Sequence, residues 1–195
     1  MSDPLIEQDD ASTPLTEEER DELLLSYISL RPELNEAEQR NILQAEDWAF
    51  SRARDVLSED FLKDLHKRMF AKVWRWAGKT RVSERNIGVE AYRITSDLRD
   101  LIDDCKCWVQ FDSYGPDEIA VRFSHRLVKI HPFPNGNGRH SRTAGDLLAV
   151  FLGRERFSWG RENLVSAGDT RQQYIEALRA ADNHDYSLLL AFVRS

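Results

Sequence analysis

Twelve residues concentrate the chemistry this chain can do: His131-Pro132-Phe133-Pro134-Asn135-Gly136-Asn137-Gly138-Arg139-His140-Ser141-Arg142. A histidine has an ordinary pKa of ~6.5, so near neutral pH it can take a proton from a hydroxyl. Gly136 and Gly138 let the backbone reach positive φ and approach a ligand closely. Arg139 and Arg142 lie three apart and share a face if a helix starts here. A helix start presents unpaired N–H groups and a positive dipole end to an anion. The pattern therefore reads as a phosphate cradle with a base at its mouth. Gly136, Asn137 and Gly138 would cradle phosphate through backbone N–H and the Asn amide, with Arg139 and Arg142 as forked hydrogen-bond partners.

Two helices must bracket that cassette. Pro116 opens the first, whose stripe of Ile119, Phe123, Leu127 and Ile130 leads directly to His131. The second follows Gly138, turns Ala144, Leu147, Leu148 and Phe151 inward, and ends near Gly153. Upstream, Thr16 with Glu19 has the form of a capping box and predicts a helix to about Leu30, ended by Pro32. Asn35 with Glu38 predicts a helix to about Arg54. Ser58 caps a third, with Phe61, Leu62, Leu65, Met69, Phe70 and Val73 along one side. The strand formers Thr80, Val82, Ile87, Val89, Tyr92 and Ile94 surround a turn at Asn86–Gly88 and predict a β-hairpin. Ser96 or Asp97 caps the next helix, Thr170 another, and a last helix carries Leu188, Leu189 and Phe192.

The cassette resembles the signature of the Fic (Fido-fold) family, His-Pro-Phe-x-(Asp/Glu)-Gly-Asn-Gly-Arg-x-x-Arg. The resemblance extends to Leu65-His66, Met69-Phe70, Val73-Trp74 and Trp76-Ala77-Gly78-Lys79-Thr80-Arg81, covers roughly residues 40–190, and is strongest to the subgroup called mobile mystery protein B. It implies a mainly α Fic-type (Fido) helical bundle with a small β-hairpin flap. The flap, Asn86, Ile87 and Gly88, would hold a target protein by strand addition. The implied activity is protein adenylylation: His131 deprotonates a Tyr, Thr or Ser hydroxyl, which attacks the α-phosphate of ATP and releases pyrophosphate. The implied cofactor is Mg2+, or Mn2+, and its ligand position is Asn135, where this chain has an amide and the family an acid. That departure leaves three readings open: slow adenylylation, a different phosphate-containing donor, and a nucleotide-binding or toxin-partner module without catalysis. A kinase of the Doc kind is disfavoured, since that branch has a lysine within the run equivalent to Gly136–Arg139. The family's inhibitory pattern, (Ser/Thr)-x-x-x-Glu-(Gly/Asn), is approached at Ser29–Leu34, which offers Glu33 as a regulatory partner for Arg142, and at Ser158–Asn163. A separate small inhibitory antitoxin protein is the competing form of control.

The 195 residues suffice for one domain with a core, read as residues 1–35 (a tail and a regulatory helix) and 36–195 (the Fic-type domain). The formal charge of -7 argues against a nucleic-acid partner. Between Arg122 and Arg142, however, no acidic residue occurs while five cations do, which suits a small anionic ligand. Cys105 and Cys107 suggest neither a disulfide framework nor a zinc site. With no apolar leader and no spanning run, a cytoplasmic location without membrane association is expected.

Overall fold

The structure, a computed structural model, describes residues 17–161 and 167–195. The predicted tail at 1–14, the cap at Thr16 and the Glu162–Asn163 end of the second inhibitory-like pattern lie outside the described residues.

Among the described residues the chain forms eight α-helices: α1 (Glu17–Arg20), α2 (Arg31–Phe50), α3 (Glu59–Phe70), α4 (Ile94–Gln110), α5 (Pro116–Ile130), α6 (Asn137–Phe151), α7 (Ala167–Asp182) and α8 (Ser187–Val193). The two site helices, α5 and α6, pack against each other, and α4 also packs on α5. Helix α2 packs on α3, and α7 on α8. Phe70, Phe123, Phe133, Leu62, Leu65, Met69, Leu127 and Leu148 are essentially inaccessible. The apolar stripes read from the sequence at α3 and α5 thus meet in one core that includes the motif phenylalanine.

Several caps form as their chemistry requires. Ser58 Oγ accepts the Phe61 N–H at the start of α3. Pro116 occupies the first turn of α5, where its missing N–H costs nothing.

Four expectations are corrected. The helix expected from Thr16 to Leu30 is confined to Glu17–Arg20 at its described end. Beyond it the chain runs beside residues 73–75: Leu24 N–H donates to Val73 O (2.9 Å) and Arg75 N–H to Glu22 O (3.0 Å), so that backbone is unavailable to a helix. Pro32 begins a helix rather than ending one, because it lies in the first turn of α2. Helix α2 consequently crosses residue 35. Thr170 lies inside α7 and does not cap it, since the described residues of α7 already include Ala167–Asp169. Finally, no hairpin forms at 80–94. The arms of that loop donate to the motif segment and not to each other: Arg81 N–H to Pro132 O (2.9 Å) and Val89 N–H to Ile130 O (3.4 Å). The β pairing among the described residues is a single antiparallel bridge, Leu23 with Trp74.

Candidate active site

The residue that caps α5 sets the site. His131 caps the helix in the left-handed region (φ 56, ψ 58), a strained placement for a residue with a side chain. Arg81 holds it there. This buried guanidinium donates from Nε to the His131 carbonyl (2.7 Å), from one terminal nitrogen to Ser83 O (2.9 Å), and from the other to Val89 O. One side chain thereby ties both arms of the Asn86–Gly88 loop to the base. The sequence reading named Arg81 only as the end of the family-like run Trp76–Arg81 and gave it no role, since a buried arginine spent on carbonyls leaves no periodicity. Gly88 completes the approach. At φ +96 it sits so close that an added Cβ would lie 2.6 Å from His131 Cβ.

The imidazole Nδ1 of His131 lies 3.3 Å from the Val128 carbonyl, so Nδ1 carries the proton and Nε2 is the basic nitrogen. The ring is 6% exposed. Burial, with the positive charges of Arg81 and Arg85 adding to it, lowers its pKa to about 4, against the pull of the Val128 bond. At neutral pH the base is therefore in its proton-accepting form.

The loop from Pro132 to Gly136 is pinned from three sides. Asn137 accepts the Phe133 N–H (2.9 Å) and donates back to Phe133 O (2.8 Å). Its amide, expected to reach phosphates, is spent on shaping the loop. Gly136, at φ +77, lies where a Cβ would meet the Phe70 ring at 2.5 Å. His66, fully buried, accepts the Gly78 N–H at Nδ1 (2.9 Å) and donates from Nε2 to Asn135 O (3.0 Å). It stacks on Phe133 with ring centroids 3.7 Å apart. Burial and the neighbouring His140 hold its pKa well below the ordinary value, so His66 is a neutral strut between α3 and the motif.

Helix α6 starts at Asn137, so its first-turn N–H groups have no partner within the helix. They open onto a cavity of about 1030 Å³ whose wall includes His131, Asn135, Gly136, Gly138, Arg139 and Arg142. The loop residues Asn86, Ile87 and Gly88 line the same cavity. All the residues read from the sequence as base, cradle and flap thus share one space. Glu33 does not line it. Its carboxylate accepts the N–H groups of Ser29 (3.1 Å) and Leu30 (3.2 Å), closing the start of α2, and Arg142 instead lies over the Tyr174 ring. The carboxylate that meets a motif arginine is Glu38: one oxygen accepts from Arg139 (2.6 Å) and the other from Trp74 Nε1 (2.6 Å). Its signal in the sequence was read only as half of a cap.

The metal implied at position 135 fails on donor chemistry. The Asn135 Oδ1 accepts the adjacent Gly136 N–H at 2.6 Å, and Mg2+ sites ordinarily draw on carboxylates. His125 is held by Tyr186 and Asp182 and His140 by Leu62 O. No group of three metal-ligating side chains occurs among the described residues.

The family model for the Fic/DOC family matches residues 56–149, a span that runs from α3 through the flap loop and the whole cassette. Over that span the chain is similar to the Fic/DOC family. Among curated Fic relatives, it is 29% identical over 152 residues to protein adenylyltransferase fic-1 of Caenorhabditis elegans, covering 74% of this chain. The chain spans about a quarter of that protein's length (27%). A Fido domain-containing protein of Dictyostelium discoideum is 34% identical over 70 residues, 36% of this chain and 44% of that one. Among solved Fic domains, BepC of Bartonella tribocorum with bound AMPPNP has the same fold: TM-score 0.69 at 18% identity, covering 92% of this chain and 97% of that one. Fic-1 of C. elegans gives a TM-score of 0.60 at 23% identity over 80% of this chain and 47% of that one.

Proposed function

We propose that this protein is a Fic-type protein adenylyltransferase, moving AMP from ATP to a Tyr, Thr or Ser hydroxyl of a target protein. The observation that carries the reading is the neutral, strained His131 at the mouth of a cavity walled by the α6 start and two arginines. A pure binding module has no use for a base held with one nitrogen committed to Val128 O and the other basic. The likeness to protein adenylyltransferase fic-1 and to an AMPPNP-bound Fic domain supports ATP as donor.

In this reading the hydroxyl proton passes to His131 Nε2 as the oxygen attacks the α-phosphorus. The bond from the α-phosphorus to the bridging oxygen breaks, and pyrophosphate leaves. Phosphoryl transfer of this kind depends on positioning and charge stabilisation. The N–H groups at the α6 start and the forks of Arg139 and Arg142 supply both. The loop at Asn86–Gly88 presents the target chain. Because Arg81 anchors both its arms to the His131–Pro132 backbone, a hydroxyl held by the loop is registered against the base.

The test is label transfer into a bacterial lysate from ATP labelled at the α- or the γ-phosphate, with wild type and His131→Ala. Transfer of α-label alone, abolished by His131→Ala, is expected. Transfer of γ-label would make the protein a kinase and reverse the donor.

A further inference from the structure

Resting on the reading of the cavity as an ATP site, we propose that Glu38 is a positioning residue for the transfer step, setting the orientation in which Arg139 presents its guanidinium to the phosphates. Helix α2 runs along the site. Arg31 and Asn35 line the cavity, and Glu38 shares their helix face. Behind the wall it meets Arg139 of α6. The Glu38 side chain is 6% exposed, and a carboxylate so far removed from water is costly unless it is well bonded. Both oxygens are engaged: Oε1 accepts from Trp74 Nε1 (2.6 Å) and Oε2 from a terminal nitrogen of Arg139 (2.6 Å).

The two bonds act in series. Trp74 is buried and stacks on Trp76 with ring centroids 5.0 Å apart, so its N–H is a fixed post. That bond sets where the second oxygen lies, and the second oxygen sets the guanidinium. The Phe70 ring supports the same group, with Arg139 Cζ 5.0 Å from its centroid. Phe70 is also the ring that crowds Gly136 in the motif turn. Arg139 is thus gripped from inside the protein while its side chain, 30% exposed, lines the cavity. A long cationic side chain ordinarily loses rotamer freedom when it grips a phosphate. Here the fold orders it before ATP arrives. Negative charge builds on the departing pyrophosphate as its bond to the α-phosphorus breaks, so a pre-oriented cation acts more on the transition state than on bound ATP. The signature is a loss in kcat with little change in KM. A mere clamp between α2 and α6 would lower stability without that split and without dependence on Arg139.

The experiment is a double-mutant cycle on the full chain. Initial rates of α-label transfer into a bacterial lysate at fixed concentration are measured against ATP for wild type, Glu38→Gln, Arg139→Ala and the double variant, with thermal unfolding in parallel. Glutamine keeps the shape and the acceptor for Trp74 but turns an N–H2 group toward Arg139, where donor opposes donor. Glu38→Gln is expected to lower apparent kcat by about tenfold with the KM for ATP within about threefold of wild type. In the Arg139→Ala background the same change is expected to add less than about twofold, because its effect passes through the arginine. Should Glu38→Gln not fold, Trp74→Phe carries the test: it frees Oε1 without removing the charge, and the same kcat loss, absent on top of Arg139→Ala, is expected. Wild-type kcat in the single variant, a rise in kcat, or an equal loss with and without Arg139 each overturns the inference and leaves adenylylation standing. No α-label transfer by wild type removes the adenylyltransferase reading, and this inference with it.

Discussion

His131 is the residue on which a pH profile reads most directly. Its pKa lies near 4 because the ring is buried beside Arg81 and Arg85. The base needs the neutral ring, which persists above that value and is lost below it. The rate of transfer, as kcat/KM, is therefore expected to show no histidine limb between pH 8 and 5 and to fall as pH drops toward 4. A limb centred near 6.5 would mean that the ring is solvated and that Arg81 does not act on it. Gly88 gives a second residue-scale prediction. At φ +96, with His131 Cβ and Arg81 in the way, a Cβ forces the loop off the base. Gly88→Ala is expected to lower kcat/KM by about tenfold or more, since small misplacements near the reacting centre are costly. Its melting temperature is expected to fall as well, because a side chain is strained at φ +96. Parallel thermal and kinetic measurements separate the two effects.

At the scale of elements, the start of α2 decides what Glu33 does. A regulatory glutamate would make Glu33→Gly more active. The geometry gives a cap, with the carboxylate closing the Ser29 and Leu30 N–H groups. That variant is expected to lose about 1 kcal/mol in urea unfolding and to transfer label at the wild-type rate. The loop before α6 depends on a larger element-scale bond pair. Asn137 closes it by accepting from and donating to Phe133. Asn137→Ala leaves two buried backbone groups unpaired and is expected to cost about 2–3 kcal/mol, with transfer lost because the cradle loses its shape.

Across the whole molecule, buried histidines set how stability responds to acid. His66, His125, His131 and His140 all have pKa values lowered chiefly by burial, His131 and His140 to about 4. The unfolded chain takes up protons at these sites from about pH 6.5 downward, while the folded chain does not. Their contribution is complete above pH 6.5 and is lost as pH falls toward 4. Asp146 opposes them. Burial raises its pKa to about 6, so the stability it contributes is present at low pH and lost as pH rises through 6. Four groups outweigh one, and the midpoint of thermal unfolding is expected to be lower at pH 5 than at pH 7. A midpoint that rises on acidification would show that Asp146 dominates.

What the sequence determined by itself is the cassette and the two helices that carry it. The stripe at Ile119, Phe123, Leu127 and Ile130 fixes where α5 ends, and the glycine turn fixes where α6 begins. Base, cradle and arginines are contiguous, so their assembly needs only local geometry. The runs at Thr80–Ile94 and Thr16–Leu30 were misjudged for a common reason. In each, residues with ordinary strand or helix preference give their backbone bonds to a distant segment, at 130–132 or 73–75. Propensity describes what a segment does alone and cannot register a partner fifty residues away. Only the tertiary structure decided that Arg81 would be buried against the His131 carbonyl, that Glu38 and not Glu33 would meet a motif arginine, and that His66 would brace Asn135. Each is a polar side chain removed from water. Whether such a group is tolerated depends on the exact carbonyl or carboxylate the fold brings to it.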